Sequence, residues 1–98
     1  MKNDAALEAI KNMLSDGSKI PLAQYMLLRE AGEHGFKISI IYDLPFDPAV
    51  HVWPTVEAQN QHAAISERRR QFIVALDRSG FRPDNRFPNG WMIRVDVR

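Results

Sequence analysis

The chain has 98 residues, of which 45% are hydrophobic and 26% charged, and its formal net charge is +1. That length suits one domain with its own core, and the composition is too apolar for a disordered tract. There is no cysteine, which excludes disulfides, thiolate zinc sites and thiol nucleophiles.

The elements follow in chain order. Residues 4–15 read as a helix, with Leu7, Ile10 and Leu14 at helical spacing and Asn3 or Asp4 as its cap. Residues 21–33 read as a second helix, opened by Pro21 at its first position and closed near Gly32 and Gly35. Residues 36–43 are the strongest strand, because Phe36, Ile38, Ile40 and Tyr42 alternate onto one face. Residues 44–54 carry Pro45, Pro48 and Pro54, so an irregular segment is expected, with a single helical turn near Asp47–Val52. Residues 55–79 read as a long helical stretch, one helix or two in tandem, whose second half is amphipathic through Ile65, Phe72, Ile73 and Leu76. Residues 81–97 read as a β-hairpin turning at Phe87-Pro88-Asn89-Gly90, followed by the alternation Trp91, Ile93, Val95 and Val97. The expected class is α+β, a single domain over residues 1–98: two N-terminal helices, one strand, a long helix and a C-terminal hairpin. No stretch approaches the ~20 apolar residues that span a bilayer, and the N-terminus lacks a signal-peptide core. A cytoplasmic protein without membrane contact is expected.

Charge is distributed unevenly. Residues 1–50 have a net charge of −2, with Lys2, Lys11, Lys19, Arg29 and Lys37 as their basic groups. Residues 51–98 have a net charge of +3, and every basic group there is an arginine. Arginine offers a planar, bidentate fork to phosphate or carboxylate, where lysine supplies a hydrated point charge. Between residues 68 and 86, Arg68, Arg69, Arg70, Arg78, Arg82 and Arg86 face only Asp77 and Asp84, a local net of +4. The order helix, strand, irregular or helical segment, helix, hairpin matches that of a winged helix-turn-helix. In that fold the last helix enters the major groove and the hairpin touches flanking backbone. A small regulator that binds DNA or RNA through these six arginines is therefore the leading expectation.

The alternative is a protein-interaction module: an adaptor, an inhibitor of a larger machine, or a homodimer. It rests on the apolar, proline-rich segment Phe46–Trp53, with Phe46, Val50 and Trp53 as anchors, or on the arginine cluster meeting an acidic protein. Catalysis has no comparable support. Asp43, Asp47 and His51 have ligand-like spacing, but Pro45 and Pro48 interrupt any helix that would align them. His62 and Ser66 sit four apart without a nucleophile elbow. The glycines are scattered and form no phosphate loop. No enzyme activity, metal or cofactor is expected.

Overall fold

The computed structural model describes residues 3–15, 22–42, 48–55 and 67–95. It is an α+β protein whose described residues form three α-helices, α1 (Asp4–Ser15), α2 (Leu22–Arg29) and α3 (Glu67–Arg78), and a 3-10 turn at Ala31–His34. Strands β1 (Phe36–Ile41), β2 (Ala49–Pro54), β3 (Arg82–Asp84) and β4 (Gly90–Arg94) form one antiparallel sheet in the order β1-β2-β4-β3. Among the described residues, no helix is long and apolar enough to cross a membrane.

The helices expected over 4–15 and in the second half of 55–79 are present, and so is the strand from Phe36. The first half of the long helical stretch lies outside the described residues. The second helix is shorter than expected: it stops at Arg29, and the chain tightens into the 3-10 turn before Gly35 takes a left-handed φ of 80°.

One expectation is overturned. Ala49–Pro54 is neither irregular nor a helical turn but an interior strand, β2, paired with β1 on one side and β4 on the other. The prolines mark its ends. Pro54 takes the last register position, opposite Phe36. Pro48 lies just before the strand, where its carbonyl accepts the Val95 N–H at 2.8 Å. Between them Ala-Val-His-Val-Trp keeps every ladder donor.

Register assigns the faces. Phe36, Ile38 and Ile40 of β1 lie beside Pro54, Val52 and Val50, which continue across to Trp91 and Ile93 of β4. This face carries the helices: Ile10 of α1, Leu28 of α2, and Phe72 and Leu76 of α3 join Val50, Val52, Phe81 and Val95 in one hydrophobic cluster. Phe72 is central to it, stacked on His34 at 4.7 Å and tilted against Phe36 at 5.3 Å. The opposite face, open in that no described helix packs on it, presents Lys37, Ser39 and Ile41, then Ala49, His51 and Trp53, then Met92 and Arg94, then Arg82 and Asp84.

Helix ends are fastened to the sheet. The Asn3 carbonyl accepts the first α1 bond from Leu7 N–H at 2.9 Å, but its side chain turns away from the helix. The Asn3 amide donates to Phe36 O at 3.1 Å and its carbonyl accepts from Ile38 N–H at 3.1 Å, so a side chain takes the place of a neighbouring strand on β1. At the far end of α3, Gly80 N–H donates to Asp77 O and Phe81 N–H to Leu76 O, with Gly80 at φ +97°. This is the Schellman pattern, and its hydrophobic pair is Leu76 with Phe81, both within 1% of full burial. A Cβ on Gly80 would meet only ordinary contacts at 3.7 Å or more, so backbone conformation alone demands glycine there. Gly80→Ala is expected to lower unfolding free energy by about 1–2 kcal/mol with an unchanged native fold. Denaturant titration of the two proteins checks this.

Candidate functional site

The open face has a buried polar centre. His51 comes from the middle of β2 and Asp84 from the end of β3, and their side chains are 6% and 3% exposed. The imidazole Nδ1–H donates to Asp84 Oδ2. Its tautomer is thereby set by the carboxylate, and Nε2 is left to accept when the ring is neutral or donate when it is protonated. The other carboxylate oxygen, Oδ1, accepts the Arg86 backbone N–H at 2.9 Å. That bond is an Asx turn, and it bends the chain out of β3 into the 85–89 loop. One carboxylate therefore joins the central strand to the hairpin loop.

The loop then folds onto the sheet. Gly90 N–H donates to Phe87 O at 2.9 Å, with Pro88 second in the turn and Asn89 third at a left-handed φ of 58°. Proline followed by a positive-φ residue is what a type II turn requires. The turn lays Phe87 flat on Trp53, at 4.0 Å between ring centroids and 8° between planes, and brings it into an edge-to-face contact with His51 at 5.5 Å. Around His51 a cleft of about 240 Å³ opens, lined by Ile41, Ala49, His51, Pro83, Asp84, Asn85, Arg86, Met92 and Arg94. Its volume lies below the ~300–1,000 Å³ typical of pockets that enclose a drug-sized ligand. It has room for one small group, such as a base or a phosphate, at an otherwise open surface.

The expected arginine set is divided between layers. Arg68 lies in the first turn of α3. Arg69 turns toward the 3-10 segment and its Nε–H donates to His34 O at 3.0 Å. Arg70 and Arg78 lie with Glu67, Gln71 and a 46% exposed Val74 along the outer side of α3. Arg82 and Arg86 belong to the hairpin on the opposite side of the sheet, where Arg94 and Lys37 join them. The only acid among the described residues of that face is Asp84, and it is folded against His51.

Of the expected partner anchors, Val50 is 0% exposed and belongs to the core. It cannot touch a partner in the folded chain. Trp53 is half-buried beneath Phe87. Phe46 lies outside the described residues, as do Asp43, Asp47, His62 and Ser66. Among the described residues, no three His, Cys, Asp or Glu side chains gather as a metal site. His51, Asp84, Phe87 and Arg94 make up much of the site without standing out in the sequence as a group. The one local signal was Asp84 two residues before Arg86 at the head of a turn.

Comparison with protein-family models, with curated proteins and with solved structures finds no match for this chain.

The His51–Asp84 pair is expected to be a structural element of the site. Asp84→Ala leaves a buried imidazole without its acceptor and is expected to cost about 1–3 kcal/mol. His51→Ala and the double variant complete a cycle whose coupling energy is expected to be at least ~0.5 kcal/mol, as for residues in direct contact. Additive losses in thermal or denaturant melts would show the contact to be energetically idle.

Proposed function

We propose that this chain is a non-enzymatic binding protein that takes nucleic acid on the open sheet face and the β3–β4 loop. The observation that carries this is the charge of that face. Lys37, Arg82, Arg86 and Arg94 share it, while its one described acid is withdrawn into a buried pair. Four cations on one face, counted among the described residues, suit a polyanion. Aromatic rings among those cations suit bases as well as phosphates.

The winged-helix reading makes α3 the groove element. Two features favour the hairpin and sheet over it. Arg69 is engaged with the His34 carbonyl, and β2 occupies the place between β1 and β4. Arg70 and Arg78 lie along α3, on the other layer from Arg82 and Arg86.

Binding of a labelled oligonucleotide is expected to weaken steeply with added salt, as counterion release requires. The triple change Arg82→Ala, Arg86→Ala, Arg94→Ala is expected to weaken it at least tenfold, roughly 1.4 kcal/mol or more, and to flatten the salt dependence. Arg70→Ala with Arg78→Ala is expected to leave it nearly unchanged. Anisotropy titrations at several salt concentrations decide the matter. Loss of binding from the α3 pair alone would return the contact to the helix, and no binding at low salt would remove nucleic acid altogether.

A second reading has its own observation. Val74 stands 46% exposed between Arg70 and Arg78, a mixed apolar and basic patch suited to an acidic protein partner. Capture of a protein that survives nuclease treatment and is lost on Val74→Asp would support it.

A further inference from the structure

Phe87 and Trp53 form a stack that the hydrophobic core does not use. Both rings lie on the open face, and neither belongs to the cluster that packs under the helices. Aromatic side chains mostly meet offset or edge-to-face, with centroids ~4.5–7 Å apart. Phe87 instead lies within 8° of parallel at 4.0 Å. A flat ring on a protein aromatic is also how an unstacked base binds.

The closure is built into the backbone. A Cβ on Gly90 would stand 2.9 Å from Phe87 O, 3.1 Å from Phe87 Cβ and 3.3 Å from Trp53 Cβ. Only glycine leaves room for the loop to come down on Trp53. Two hydrogen bonds, Asp84 Oδ1 with Arg86 N–H and Phe87 O with Gly90 N–H, set the loop's bend. Around Phe87 the loop is otherwise exposed at Asn85, Arg86, Pro88 and Asn89. Lifting the ring leaves the helix-side core untouched.

We propose that Trp53 is a base-stacking platform for single-stranded nucleic acid and that Phe87 occupies it in the free protein. This deepens the nucleic-acid reading above and rests on it. Lys37, directly across from Trp53 on β1, puts positive charge beside the platform, and Arg86 precedes Phe87 in the same loop. A base entering there displaces Phe87. Apparent affinity is then reduced by the fraction of molecules in which the platform is closed. Duplex bases, already paired and stacked, have no ring to offer, so single strands are preferred.

The test is anisotropy with a labelled short oligothymidylate and with its duplex, on the full chain at low salt. Trp53→Ala is expected to weaken single-strand binding about tenfold, and Trp53→Phe, which keeps a flat ring, to restore much of it. Phe87→Ala is expected to strengthen single-strand binding several-fold. Where Phe87→Ala does not fold, Phe87→Leu keeps the apolar bulk without the flat ring and serves in its place. In a Trp91→Phe background, adding the oligonucleotide is expected to change Trp53 emission.

Binding that ignores both Trp53 and Phe87 overturns the platform and leaves the charge-based reading standing. Weaker binding in both Phe87 variants assigns the ring to the site itself and overturns the displacement. Preference for the duplex overturns the single-strand assignment. Absence of any binding by the unaltered chain removes the parent reading together with this one.

Discussion

Strand β2 is closed in on both faces, and the rest of the molecule is arranged around that constraint. Val50 and Val52 are 0% exposed toward the helices, and His51 between them is 4% exposed on the other side. An imidazole cannot be sealed in that way without a partner. Asp84 supplies one from two strands away, and its second oxygen bends the hairpin loop. The loop in turn carries Phe87 onto Trp53. A packing requirement at the middle of the sheet thus propagates, bond by bond, to the shape of the surface above it.

The same geometry changes what the arginine run means. In sequence it is one cluster. In the fold α3 packs on one side of the sheet and Arg82 of the hairpin falls on the other, so Arg70 and Arg78 are parted from Arg82 and Arg86 while Arg69 becomes a tether. Arg69 holds the 3-10 segment to α3 through His34 O, near the stack of His34 on Phe72. Local charge density along a chain is therefore a poor measure of field at a surface unless the strand and helix faces are known. Among the described residues, the face that holds Lys37, Arg82 and Arg94 also holds the aromatic pair and the cleft.

Much of the architecture was legible. Helical periodicity located α1 and α3, Phe36 and the residues after it gave β1, and Pro88-Asn89-Gly90 gave the turn. β2 was hidden by its surroundings. Prolines at both ends resemble a broken segment when position within a strand is unknown, and a strand buried on both sides shows little contrast between its two faces. With β2 unseen, neither the register that brings His51 level with Met92 nor the reach from His51 to Asp84 had a basis in sequence. That pairing spans 33 positions, and only a sheet can bring such residues together. His51 and Asp84 were missed for the same reason: they are ordinary residues one by one, brought beside the already expected Trp53, Arg82 and Arg86 by strand order.

Asn3 has a consequence beyond joining α1 to the sheet. Among the described strands β1 lies at the edge of the sheet, and such edges invite foreign strands to continue the ladder. By filling the outward Phe36 carbonyl and Ile38 amide with its own side-chain amide, Asn3 denies an incoming strand its first pair of bonds at that end. The residue works as a built-in stopper against self-association. A chain truncated or altered there would carry a stickier edge, and its cost would appear as aggregation before it appeared as unfolding.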